Sequence, residues 1–126
     1  MTHFAVLIAG PDPEAQLDLH GPDSEDPKWD WHDFGGRWPN HLILTDGTTA
    51  GSATRGQLDI EYMREVGRST YALLVDGDWM APGEVGWFGT GTDTGVTREA
   101  HQERAWAVIE ALPPETPLAV YDLHAA

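Results

Sequence analysis

Between Lys28 and Trp38 the chain sets three of its six tryptophans, two aspartates, a histidine and an arginine around a glycine pair: Lys28-Trp29-Asp30-Trp31-His32-Asp33-Phe34-Gly35-Gly36-Arg37-Trp38. A guanidinium flanked by indoles can hold a phosphate or carboxylate through two parallel hydrogen bonds while the rings stack on a planar group. A nucleotide-like ligand needs that combination. Read as an extended segment, the run puts Trp29 and Trp31 on one side and Lys28, Asp30 and His32 on the other. Gly35-Gly36 lets the backbone turn tightly and approach a neighbour closely. The competing use is structural: Arg37 pairs with Asp30, Asp33 or Glu84 while the indoles fill the core of a small domain. Residue types alone leave both open.

A second cluster, Gly77-Asp78-Trp79-Met80-Ala81-Pro82-Gly83-Glu84-Val85-Gly86-Trp87-Phe88-Gly89, has the same make-up. Trp79, Glu84 and Trp87 therefore join Trp29, Trp31, Arg37 and Trp38 as candidate ligand-binding residues. A buried Glu84 would serve as an acid or base, although beside Pro82-Gly83 it is as readily a plain turn residue. The chain ends supply a third set. If the first and last strands are antiparallel neighbours, His3 lies beside His124 and Ala5 beside Asp122, so His3, Asp122 and His124 converge at one edge of the sheet. Two imidazoles and a carboxylate bind a divalent metal or run acid–base chemistry, and a one-residue slip would send one pair to the opposite face. Half-exposed histidines with no such role are the plainer alternative. Serine catalysis finds no support, since Ser24, Ser52 and Ser69 lack a nucleophile-elbow sequence. The glycines from Gly89 to Gly95 lack the lysine and the strand-to-helix context of a phosphate loop.

The elements that must position these residues follow from periodicity. His3 to Ala9, closed by Gly10-Pro11, reads as a buried strand, and Pro11 to Pro27 as an acidic loop contributing little core. His41 to Thr45 reads as a second strand, with Thr48 to Gly56 an exposed stretch after it. Asp59 caps a short helix bearing Ile60, Met63 and Val66, which Gly67 ends. Thr70 to Val75 and Asp78 to Met80 form a hairpin about Asp76-Gly77. Glu84 to Phe88 continues after the Pro82-Gly83 turn, and Gly89 to Gly95 is a connection. Thr97 to Leu112 is a longer helix, with Ala105, Val108, Ile109 and Leu112 on one side, Trp106 at its margin and Pro113-Pro114 as its stop. Pro117 to His124 is the last strand. This order predicts a single α+β domain over residues 1–126, with two helices on one face of a mainly antiparallel sheet, of the ferredoxin-like split βαβ type.

Composition sets bounds on function. The 126 residues, 40% hydrophobic, suffice for one core. No apolar run approaches the roughly 20 residues of a membrane span. With no leader-like start, the expectation is a cytoplasmic protein with no membrane partner. Zero cysteines exclude disulfides and thiolate chemistry. With 21 acidic residues against 7 basic ones, the formal charge of −14 argues against direct nucleic-acid binding. Asp12 to Asp33 holds eight carboxylates and one lysine. That segment is either a solvated loop or a mimic that occupies a basic, nucleic-acid-binding groove on another protein. Nothing specifies an assembly, so a homodimer is only the default.

The start Met1-Thr2-His3-Phe4-Ala5-Val6-Leu7-Ile8, the Lys28-to-Trp38 run, the Gly77-to-Gly89 pattern and the ending Thr116-Pro117-Leu118-Ala119-Val120-Tyr121-Asp122-Leu123-His124 together resemble a family of small bacteriophage, prophage and plasmid proteins. Their segment between the first strand and the Lys-Trp-Asp-Trp run is longer than here. The resemblance implies a mobile-element origin, and with it a role in counteracting host defence, but supplies no mechanism or cofactor. Three functions remain in view. The first is a small-molecule binder, for an anionic and nucleotide-like ligand, using Trp29, Trp31, Arg37, Trp38, Trp79, Glu84 and Trp87. The second is an acidic inhibitor of a host protein, acting through Asp12 to Asp33. The third is a metal-assisted hydrolase using His3, Asp122 and His124.

Overall fold

The nearly continuous apolar run His3–Ala9 forms strand β1, buried from Phe4 to Ala9. Burial on both faces is what such a run demands. The computed structural model describes residues 2–82 and 95–126, with side chains from residue 98 onward in the second stretch. Glu84 and Trp87, the expected strand from Glu84 to Phe88 and the connection from Gly89 lie outside the described residues. The described elements after β1 are α1 (Pro13–Asp18), β2 (Trp29–Phe34), β3 (Leu42–Ile43), β4 (Thr49–Ala50), β5 (Ser52–Thr54), a 3-10 turn at Arg55–Gln57, α2 (Ile60–Glu65), β6 (Ala72–Val75), β7 (Asp78–Met80), α3 (Gly95–Ala111) and β8 (Pro117–Ala125). No described helix is long and apolar enough to cross a membrane.

The main sheet runs β2-β8-β1-β6-β7, with β5 also on β8, and every pairing but one is antiparallel. The α+β class with a mainly antiparallel sheet holds. The ferredoxin-like split βαβ does not, because β1 and β6 are direct parallel neighbours, with Val6 opposite Ala72 and Ala9 opposite Val75. In a split unit another strand would lie between them. Here the chain returns to the edge of β1 first, and only then turns outward through β7. That turn is the expected one: Asp76 and Gly77 have φ of 52° and 82°, the positive pair of a type I′ hairpin. His41 to Thr45 is no strand of this sheet. Only Leu42–Ile43 forms a strand, paired with Thr49–Ala50 in a separate ribbon, and Leu44 makes an isolated bridge to Leu58. The stretch from Thr48 to Gly56 is accordingly only partly exposed, since β5 joins the main sheet.

Both expected helices pack on one face. Met63 of α2 and Trp106 and Ile109 of α3 join Ala5, Leu7, Leu73, Leu118 and Val120 in one core. Trp106 is 6% exposed and lies in that core rather than at its margin. The opposite face is closed by an element the acidic composition conceals. In α1, Asp12 accepts the Ala15 N–H at 3.2 Å, Gln16 donates to the Ala9 carbonyl at 2.7 Å and accepts the Gly77 N–H at 3.0 Å, and Leu17 is fully buried with Phe4, Val6, Ile8 and Trp29. The segment from Pro11 to Pro27 is therefore docked and contributes core. Its carboxylates, with Asp30 and Asp33, are all exposed.

Candidate functional site

Strands β1 and β8 pair in the register that brings the terminal histidines together, His3 opposite His124 and Ala5 opposite Asp122. The Nδ1–H of His3 donates to Oδ1 of Asp122 at 2.8 Å, and Asp122 is 2% exposed. The Nδ1–H of His124 donates to Oδ1 of Asp30 at 2.6 Å. The two imidazoles meet edge to face with centroids 5.3 Å apart, and the Trp31 ring stands 5.5 Å from His3. A carboxylate on Nδ1 fixes the tautomer and leaves Nε2 as the atom that exchanges protons. Asp122, His3 and His124 thus converge as two His–Asp pairs, not as a ligand set. Among the described residues no group of three His, Cys, Asp or Glu is placed to hold a metal ion. The physical reason is that the Asp122 oxygens are already engaged, Oδ1 by His3 and Oδ2 by the Arg37 N–H at 3.1 Å.

The glycine pair explains that second bond. Gly35 and Gly36 have φ of 73° and 51°, and a Cβ on Gly36 would collide with the Cβ of Asp122 and stand 2.5 Å from its Oδ2. The loop therefore lies directly on Asp122 and continues into Arg37, whose side chain is exposed, and Trp38, which packs on the α2/α3 core. Arg37, Trp38, Pro39, Asn40, His41 and Arg68 line one groove of about 510 Å³. Trp38 and His41 also line a larger one, about 690 Å³, whose walls include His3, Lys28, Tyr71 and Trp79. The two grooves adjoin along the Trp38–His41 wall.

No family model, curated protein or solved structure matches the chain.

The described tryptophans do not form one pocket. A bulge in β2 shifts the pairing with β8 between Trp29, opposite Ala125, and Trp31, opposite His124. Because of it, the two indoles sit on opposite faces instead of sharing one. Trp29 is buried and structural, its Nε1–H donating to the Leu17 carbonyl at 2.9 Å. Trp31 is 45% exposed beside His3. Trp38 and Trp79 share the larger groove, Trp79 also standing edge to face with Phe4 at 6.0 Å. Arg37 makes no ion pair with Asp30 or Asp33, since Asp30 faces His124. Sequence reasoning missed Asp30 as a histidine partner, and Arg68, His41 and Tyr71 as groove residues. The bulge that delivers Asp30 to His124 carries no sequence signal, and neither does the placement of the others.

One buried imidazole, His41, sits on the wall between the grooves, and a second, His101, lies behind Tyr71. The Nε2–H of His41 is shared by the carbonyls of Arg68 at 3.1 Å and Ser69 at 3.2 Å, and His101 of α3, 1% exposed, bonds the Tyr71 backbone. Burial holds both below the ordinary imidazole value of 6.5. Unfolded histidines then take up protons near 6.5 while the folded ones stay neutral, so the unfolded state binds more protons. The His41 and His101 contribution to stability is therefore complete above that pH and is lost as the pH falls below it. Urea midpoints at pH 7.5, 6.5 and 5.5 are expected to decline, and His101→Leu should make the decline shallower. An unchanged slope in that variant would remove His101 from the account.

Proposed function

We propose that the protein binds a small anionic ligand carrying a planar part. Arg37 and Arg68 hold the anion in the smaller groove, Trp38 stacks on the planar part, and the ligand extends past His3 toward Tyr71 and Trp79. The observation that carries this reading is the placement of two arginines on one groove against an indole. The chain has only 7 basic residues and 21 acidic ones, yet Arg37 forms no ion pair among the described residues. Like charges brought to one groove repel, and an anion between them relieves that repulsion. Arginine suits the task because its planar fork meets a phosphate or carboxylate through two hydrogen bonds.

Isothermal titration with AMP, ADP, cyclic AMP and inorganic phosphate tests the reading. Binding is expected for at least one nucleotide. Arg37→Ala should weaken it by about 10- to 100-fold, the loss of one charge-assisted contact worth about 1.5–3 kcal/mol. Arg37→Lys keeps the charge and loses the fork, so it should recover only part of the affinity. A folded Arg37→Ala variant with unchanged affinity would sink the proposal.

A further inference from the structure

We propose that His3 and His124 are a proton-transfer pair that cleaves a phosphodiester, resting on the reading that Arg37 and Arg68 bind the anion. One histidine against a carboxylate is a common way to satisfy a ring nitrogen. Here two stand side by side on neighbouring strands, each with Nδ1 on its own aspartate, and their rings 5.3 Å apart. Neither Nε2 takes part in a hydrogen bond among the described residues. Asp122 and Asp30 act as positioning residues that hold both rings through Nδ1 and leave Nε2 for proton transfer. A buried carboxylate under a glycine loop does little for stability, because desolvating the charge offsets its pairing. Its presence is better accounted for by what it does to His3, which lines the larger groove.

The substrate class follows from the donors present. Acyl transfer needs N–H groups aimed at a developing oxyanion, and the Arg37 N–H of the glycine loop is directed at Asp122 instead. A phosphodiester is already anionic and is recognised by cationic side chains, which the adjoining groove supplies through Arg37 and Arg68. Its cleavage needs one proton removed from the nucleophile and one delivered to the leaving oxygen, the work of one neutral and one protonated imidazole. Nε2 of His3 takes a proton from water as the water oxygen bonds to phosphorus. The bond from phosphorus to the ester oxygen breaks, and the Nε2–H of His124 gives its proton to that oxygen. One water is consumed, a phosphomonoester and an alcohol form, and proton exchange with solvent resets the pair.

The full chain, incubated in EDTA with 2′,3′-cyclic AMP and separately with bis(4-nitrophenyl) phosphate, is followed by phosphorus NMR, with binding measured by calorimetry. Hydrolysis is expected for the wild type. His124→Gln and His3→Gln should lower kcat by about 100- to 10,000-fold with KM nearly unchanged, whereas Arg37→Ala should act mainly on KM. Asp30→Asn, at an exposed carboxylate, should lower kcat with the fold intact. Binding without hydrolysis in the wild type overturns the acid–base pair and leaves the anion groove standing. Full turnover by a folded His124→Gln variant overturns it as well. Neither binding nor hydrolysis overturns both.

Discussion

Replacing Gly36 with alanine is expected to destabilise the protein by about 2–5 kcal/mol and to uncouple His3 from Asp122. Two costs combine. At φ 51° an alanine sits in the left-handed region, which costs about 1–2 kcal/mol. Its Cβ also drives into the Cβ and Oδ2 of Asp122, a buried side chain with no room to yield. Overpacking of this kind costs about 1–3 kcal/mol, and pushing the loop away would strip the carboxylate of the Arg37 N–H while it stays buried. Gly67→Ala is the matched control: φ is 75°, and nothing lies within 4 Å of the added methyl, so only the backbone cost applies. Chemical denaturation of the two variants separates the terms. Equal losses would mean that the loop does not press on Asp122.

The same contact shows what could and could not be read from the sequence. The pairing of His3 with His124 and Ala5 with Asp122 was legible because both terminal segments are short, mostly apolar runs that read as strands, and the two-residue repeat of a strand then dictates which side chains share a face. The hairpin was legible for the same kind of reason, Asp76-Gly77 tolerating the positive φ that few other pairs accept. The face of Trp31 was not, because a single bulge reverses the alternation and nothing in Trp29-Asp30-Trp31 announces it. Asp30 therefore looked like a partner for Arg37, whereas the bulge delivers it to His124.

Non-local placement was hidden as well. Arg68 follows the Gly67 that ends α2, and only the return of the chain beside β1 carries it to the groove of Arg37 and Trp38. The parallel β1/β6 pairing that produces this return is a matter of crossover, which hydrophobic period does not encode. The site is thus assembled from a local part, the two terminal strands, and a global part, the loop and crossover that cover them.

Truncating Leu17 to alanine should cost about 2–5 kcal/mol, the range for emptying a fully buried leucine site. The expectation is stringent because the surrounding sequence reads as solvated loop. Six residues cannot hold a helix alone, so α1 persists only through its docking on the sheet. Its hold on the site is also traceable: the Leu17 carbonyl accepts the Trp29 indole N–H, Trp29 anchors the start of β2, and β2 carries Asp30 to His124. Leu19→Ala, two residues away and 60% exposed, should change stability by less than about 0.5 kcal/mol. Limited proteolysis of the Leu17 variant should open new cleavage between residues 11 and 28, and its NMR spectrum should lose the His124 Nδ1–H signal before that of His3. Matching small effects from both substitutions would mean that the acidic segment is not docked, and the path from α1 to Asp30 would fall with it.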